Sequence, residues 1–224
     1  PLRVLPHSYA WYLLIPHLMR FATFDLAWNV NAYNIKNINN HQSCFLGHLF
    51  GKAYTSRFQN ILDTYYQLAW SRKPEFMGWE REWDTKEYTG LRDTEFSFQN
   101  YGEAQRRLKE YEQLANNVKS LMNELPANQR DAFFEILGHP VMASYQMNRK
   151  FLMAQLNHEQ FKLGNIEEAN WAARQSQEAF DSIATLNKQY NSVTGGKWDD
   201  MMNMAPAWCS LSHKMPEVNI TKEL

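Results

Sequence analysis

The stretch between Pro74 and Gln99 holds seven carboxylates, Glu75, Glu80, Glu82, Asp84, Glu87, Asp93 and Glu95, interleaved with Phe76, Trp79, Trp83 and Tyr88. Paired carboxylates are what general acid and base catalysis uses, provided that one of them has a raised pKa. Flat aromatic faces beside them can pack on a ligand ring, which makes Trp79 and Trp83 the candidate stacking residues. The stretch is also long for a connection, and loops beyond ~12–15 residues are often functional. Against the seven acids stand three bases, Arg81, Lys86 and Arg92. A loop of that sign repels anions, which argues against a catalytic role and favours an ordered loop packed on its scaffold. Just upstream, Arg72 and Lys73 suit an anionic ligand better, because a guanidinium grips a carboxylate through two parallel hydrogen bonds. Cations are also ordinary solvated groups at a helix C-terminus.

Other chemistries are poorly served. The seven histidines, His7, His17, His41, His48, His139, His158 and His213, are scattered. No Glu-x-x-His pair of a di-iron bundle occurs, nor a His-Glu-x-x-His zinc pattern. His41 and His48 could share a helix face but lack a third ligand. Neither metal nor cofactor is expected. Cys44 and Cys209 are the only cysteines, and the sequence leaves their pairing open. Near the C-terminus stands Gly195-Gly196-Lys197-Trp198-Asp199-Asp200-Met201-Met202. Two glycines stop a helix, since they take the left-handed conformation that caps it. Trp198, Met201 and Met202 then read as a lid folded back on that helix. The alternative is that Lys197 or the aspartate pair reaches a ligand. The block lacks the pattern of a phosphate loop.

The elements that must position these groups are helical. Tyr54, Phe58, Ile61, Tyr65 and Leu68 recur at steps of four and three, which puts them on one helix face. Tyr101, Ala104, Leu108, Tyr111, Ala115, Val118, Met122 and Leu125 continue the alternation, widened by Leu114 and Leu121. Pro126 fits the first position of the helix that follows. Residues 127–163 form a third segment, which Pro140 should kink near Glu135 to His139. Gly164-Asn165 separates it from a fourth, with Asn165 and Glu168 as a capping box. That fourth helix faces inward with Ile166, Ala169, Ala173, Ser176, Phe180, Ile183 and Tyr190, and runs to Gly195. A shorter helix spans Ser43 to Phe50, with Gly51 as its stop. The predicted fold class is all-α: an antiparallel bundle of about five helices.

Composition narrows the partners. Of the 224 residues, 44% are hydrophobic, with nine glycines and eight prolines, so the chain is neither disordered nor fibrous. A net charge of −1 leaves no electrostatic footprint for nucleic acid or an anionic membrane surface. The early apolar run, Tyr9 to Ile15, is far short of the ~20 residues that span a bilayer. It lacks a basic start, so an export signal is expected to lie outside this chain.

Read in order, Phe24-Asp25-Leu26-Ala27-Trp28-Asn29, Arg72-Lys73-Pro74-Glu75, Tyr101-Gly102-Glu103-Ala104-Gln105-Arg106-Arg107, Asp131-Ala132-Phe133 with His139-Pro140-Val141, and the Gly-Gly-Lys-Trp block make a recognisable series. The series resembles the helical region that follows the catalytic barrel in glycoside hydrolase family 115, the xylan α-1,2-glucuronidases. It covers about residues 19 to 218. The resemblance implies a helical bundle between a barrel and a β-sandwich, and removal of (4-O-methyl)glucuronic acid from xylan by inversion. The acid and base of that reaction would come from barrel strands, so this chain alone is expected to be inactive. Its partners would be the barrel domain, a glucuronoxylan oligosaccharide bound by the whole enzyme, and a second copy in a homodimer. Substrate contacts would fall to Arg72, Lys73, Trp79 and Trp83. An exported or periplasmic location follows if the chain behaves as the family does. The expected organisation is 1-28 as a barrel remnant or unmatched leader, 29-218 as the bundle with its long loop 74-99, and 219-224 as a tail. With its barrel gone, the first of these should either pack on the bundle or expose Phe21, Phe24, Leu26 and Trp28. A different reading of the same residues is a free-standing binding module for acidic xylooligosaccharides.

Overall fold

The computed structural model describes residues 24, 27–29, 40–78, 91–202 and 214–221. From residue 40 on, the described residues form six α-helical segments: α1 His41–Phe50, α2 Thr55–Ser71, α3 Glu103–Glu124, α4 Ala127–Phe133, α5 His139–Lys162 and α6 Ile166–Gly196. A π-helical turn, Phe134–Gly138, joins α4 to α5, so these two form one kinked rod and the bundle has five. No strand occurs among the described residues. The fold is all-α, as its apolar periodicity predicts.

Side-chain pairs fix the helix directions. Arg57 bonds Glu124 while Arg107 bonds the carbonyl of Leu68, so α2 and α3 run antiparallel. Arg107 bonds Asn148 and Tyr145 bonds Glu112, which makes α3 antiparallel to α5. His139 meets Asn187 and Asn157 meets Ala169, so α5 and α6 form an antiparallel hairpin. The main core lies where α1, α2, α3 and the α4–α5 rod converge on Phe58, Tyr65, Tyr111, Leu121, Phe133 and Leu137. A smaller cluster around Met77, Met147, Phe151 and Ile183 continues it toward α6.

Several expectations need correction. Tyr101 is 90% exposed, not part of the α3 stripe. Both Tyr101 and Gly102 have positive φ, so the chain turns away before α3 begins at Glu103. Asn165 makes no side-chain cap bond to α6; its amide donates to Gln160 instead. Pro126 stands at the N-cap of α4, one position before that helix. The last regular turn of α6 closes at Ser192, because Val193, Thr194 and Gly195 leave helical geometry. Where a bend is expected before Pro140, at Glu135 to His139, the chain forms the π turn Phe134–Gly138. Phe24 and Trp28 are exposed, whereas Phe21 and Leu26 lie outside the described residues. Cys44 is an exposed thiol, and Cys209 also lies outside.

One buried charge organises the junction of three helices. Arg107 is 3% exposed, and its hydrogen-bond partners are all neutral. Its Nε donates to Asn148 Oδ1 at 2.6 Å, Nη1 to the Leu68 carbonyl at 3.0 Å and Ser71 Oγ at 2.7 Å, and Nη2 to the Arg72 carbonyl at 2.6 Å. It thus reaches the Arg72 carbonyl just past the end of α2 and adds a donor to the Leu68 carbonyl, which already accepts from the Arg72 amide and the Ser71 hydroxyl. The rings of Phe96 and Tyr111 lie 4.5 and 5.1 Å from the guanidinium. Burial pulls its pKa below the usual value, but an arginine stays protonated. Arg107→Met keeps apolar bulk while leaving several buried acceptors unpaired, each worth about 1–3 kcal/mol. Urea titration should therefore show a stability loss of at least about 3 kcal/mol, and Arg107→Lys an intermediate one. A methionine variant as stable as the parent would remove Arg107 from this role.

A second buried polar group makes stability depend on pH. His139 is fully buried between Phe134 and Tyr190, with Nε2 donating to Asn187 Oδ1 at 2.8 Å. Burial, opposed by that bond, pushes its pKa down to about 4. A depressed base leaves folding unaffected above the ordinary ~6.5, then weakens it as pH falls, because the unfolded chain takes up the proton first. The weakening is complete once pH drops through about 4. A shift of this size corresponds to on the order of 3 kcal/mol. Thermal midpoints measured across that window should fall for the parent and fall less for His139→Gln. Parallel curves would show that another group governs the slope.

Candidate functional site

Helix α2 ends at Ser71, and the chain turns through Pro74–Phe76 into Met77 and Gly78. Gly78 adopts φ +82° against the ring of Phe151, where a Cβ would stand 2.2 Å from a ring carbon. Only glycine fits there. The amide of Arg92 donates to the Gly78 carbonyl at 3.0 Å, so the two ends of the intervening loop meet at this point. On the far side Gln155 of α5 holds the returning segment: Oε1 accepts from the Thr94 amide and hydroxyl, and Nε2 donates to the Phe96 carbonyl. Between the two stems lies a cleft of about 240 Å³, lined by Arg72, Phe76, Met77, Thr94, Glu95 and Glu103, among others. That is below the ~300–1,000 Å³ of sites that enclose a drug-sized ligand.

Of the four expected contact residues, two can be placed. Arg72 is half-buried at the cleft, where Nε and Nη2 both donate to the Phe76 carbonyl, at 3.2 and 2.8 Å. Lys73 is exposed, with its ammonium 5.6 Å from the Phe76 ring centroid. Both cations therefore converge on one aromatic side chain at the mouth of the loop. Trp79 and Trp83 lie outside the described residues, as do Glu80, Glu82, Asp84 and Glu87. Among the acids that are described, Glu103 accepts from the Ser97 amide and Asp93 from the ring of His158. These two hold the loop stem. His48 bonds its own helix through the Cys44 carbonyl, and no cluster of three metal-ligating side chains exists among the described residues.

Sequence reasoning missed Arg107, Gly78 and Gln155, the residues that shape the cleft. Gly78 carried a signal in hindsight, since a lone glycine after a Pro-led turn marks a close approach. Arg107 and Gln155 carried none, because a polar residue on a periodic helix reads as solvent-facing. A larger recess, about 360 Å³, lies between α2 and α3, lined by Arg57, Asn60, Thr64, Glu110, Gln113 and Asn117. It is a groove between the outer edges of two helices, and Arg57 is already paired with Glu124 at 2.6 Å. The loop-mouth cleft is the stronger candidate because half-buried Arg72, Phe76, Thr94 and Glu103 converge on it beside buried Met77.

The Gly-Gly-Lys-Trp block behaves as a lid. Met202 is buried with Phe134, Tyr190 and Val193, and half-buried Trp198 and Met201 pack beside them. Asn191 closes it by exchanging two bonds with the main chain of Met202. Lys197 lies over the Trp198 ring at 4.8 Å. Burial lifts the Glu135 carboxyl above its usual range, against a hydrogen bond from Trp198 and the charge of Lys197. Since Trp198 is only half-buried, Trp198→Ala should cost about 2 kcal/mol, short of the ~3–5 of a core aromatic. Lys197→Ala should cost no more than the ~0.5–1 of an exposed cation–π contact. Thermal melts of both variants read the difference, and a larger effect from the lysine would reject the lid.

No protein-family model matches the chain, and no curated protein does. Among solved structures it is similar to BtGH115A, a family GH115 4-O-methyl-α-glucuronidase with specificity for decorated arabinogalactans. The two share 31% identity with a TM-score of 0.72, over 89% of this chain and 25% of that one. The chain has a GH115-like fold. It spans about a quarter of the length of the glucuronidase that it matches.

Proposed function

We propose that this chain is the non-catalytic helical accessory module of a family 115 α-glucuronidase, an enzyme that removes (4-O-methyl)glucuronic acid from xylan. The observation that carries this reading is the match of nearly the whole chain to a quarter of such an enzyme at 31% identity. The module braces the barrel domain and presents its loop at the rim of the substrate cleft. Gly78, Arg92 and Gln155 fix where that loop leaves and rejoins the bundle. Arg72 and Lys73, with Trp79 and Trp83, are the residues that contact the uronate-bearing chain when the whole enzyme binds it. The exposed aromatic residues Phe24, Trp28 and Trp70 support contact with a neighbouring domain or a second copy.

The acid and base belong to the barrel. Within the described part of this chain, Glu103 at the cleft accepts from the Ser97 amide and Asp93 nearby is paired with His158, so both serve the loop stem. Inverting hydrolysis needs two carboxyl groups about 6.5–9.5 Å apart with a water between them. The isolated chain should therefore release no 4-O-methylglucuronate from glucuronoxylan, nor any from a decorated arabinogalactan, at any protein concentration. Turnover that disappears on Glu75→Gln or Glu95→Gln would place chemistry in this module and defeat the proposal.

The second reading, a free-standing module for acidic xylooligosaccharides, is supported by the cleft beside Arg72. It is weakened by the engagement of that guanidinium with the Phe76 carbonyl. Calorimetric titration with an aldouronic acid and with a neutral xylooligosaccharide separates the two, since only this reading expects the acidic sugar to bind the isolated chain.

A further inference from the structure

We propose that His158 is a proton-operated clasp that ties the loop stem to the C-terminal segment across α5, closed while its ring carries two protons and opened when one is lost. Its Nδ1 lies 2.7 Å from Asp93 Oδ1, and its Nε2 lies 2.7 Å from the Glu217 carbonyl. A main-chain carbonyl only accepts, and so does a carboxylate. Both nitrogens must therefore donate at once, which a neutral imidazole cannot do, since it keeps one nitrogen as an acceptor. The proton between ring and acid sits on the ring, because imidazole is the stronger base of the two. The arrangement is thus a cation held between an anion and a carbonyl.

The pieces that it joins are each anchored elsewhere. Asp93 lies between Arg92, whose amide bonds the Gly78 carbonyl, and Thr94, which bonds Gln155. Glu217 follows buried Pro216, and two residues on Asn157 bonds both main-chain groups of Asn219. The charged groups that act on the ring are Asp93 from the stem and Lys162 one turn on in α5, while the C-terminal segment meets it through the Glu217 carbonyl. The bond to Asp93 raises the ring's pKa above the usual histidine value; partial burial opposes it and the Glu217 carbonyl adds to it. A raised base contributes its stability in full below the ordinary ~6.5 and loses it as pH rises through the raised value, the reverse of His139. When one proton leaves, the charge-assisted bond to the carboxylate is the stronger and keeps the other. Nε2 then turns a lone pair on the Glu217 carbonyl, so the tie between stem and segment is what fails. Asn157 and Asn170 still hold Asn219 and Thr221, and the segment stays seated. A partly exposed ion pair adds little to global stability, so the clasp shows in local titration and not in a melt.

Long-range proton–nitrogen NMR spectra of the isotope-labelled full chain, recorded across neutral pH, provide the test. His158 should titrate with a midpoint above that of a free histidine. Below the midpoint both ring nitrogens should carry protons, and Nε2 should be the one that gives its proton up. The amide signal of Val218, whose peptide group contains the Glu217 carbonyl, should move with the same midpoint. Asp93→Asn, an isosteric change at an exposed position, should lower that midpoint. In His158→Gln the Val218 signal should lose its dependence on pH. A midpoint at or below ~6.5, one that Asp93→Asn leaves unmoved, or a Val218 amide that does not follow the ring would overturn the proposal. So would a Val218 amide that still titrates in His158→Gln, since another group would then be the switch. Should either variant fail to fold, the ring and Val218 midpoints of the parent decide.

Discussion

A buried guanidinium with only neutral partners is the constraint on which this bundle depends. Arg107 of α3 closes the C-terminus of α2 through the carbonyls of Leu68 and Arg72, and ties both to Asn148 of α5. Taking a charge out of water is costly unless its hydrogen bonds are replaced. Here four bonds and two aromatic faces replace them, drawn from the end of α2, from α3, from α5 and from the segment at Phe96. The arrangement works only when the end of α2, the start of α3, the middle of α5 and the segment at Phe96 are all in place. Its direct partners include helix-end carbonyls, which carry partial negative charge of their own.

From that junction the cleft follows. Because α2 must stop where Arg107 can cap it, Arg72 emerges at a fixed point and its guanidinium turns back to the Phe76 carbonyl. Gly78 then brings the chain against Phe151, and Gln155 receives it on its return. Helix α5 is thus buried nearly all round, and it uses its polar residues to hold non-helical chain. Gln155 holds the loop stem, while Asn157 and His158 hold the segment beyond the lid. The bundle is a rigid frame whose central helix fixes the two excursions from it. Such a frame suits a module that presents a loop to something else.

The sequence made the rods legible and the joints obscure. The apolar rows of α2, α3 and α6 follow the helical period, so Phe58, Ile61, Tyr65, Tyr111, Val118 and Ile183 could be assigned to the core directly. The lid was legible because two glycines and a cluster of Trp and Met have few other uses. Helix α5 gave no clean stripe, because Asn148, Lys150, Gln155 and Asn157 are buried for their hydrogen bonds. A polar side chain that binds distant main chain looks, in sequence, like one that faces water. Tyr101 failed in the opposite sense. It keeps the period of α3, but two successive left-handed residues place it outside the helix. Of the proposed contact residues, Arg72 and Lys73 stand out in the sequence because cations follow a helix end and precede a long acidic loop. What holds them depends on Phe76 and Arg107, which no local pattern connects.

Glu103 and Asp93 serve the loop stem, Arg72 and Lys73 gather at the loop mouth, and the fold is similar to part of a glucuronidase; the proposed reading makes such a frame one piece of a composite site. The most direct measurement is a crystal structure of the longest natural polypeptide that contains this sequence, with a glucuronate-bearing oligosaccharide bound. The account predicts that the uronate is gripped mainly by groups outside this module, with contacts from it confined to the loop that opens at Gly78 and Arg92 and to the adjoining cations. A sugar seated instead in the groove between α2 and α3, or flanked by two carboxylates of this chain, would contradict it.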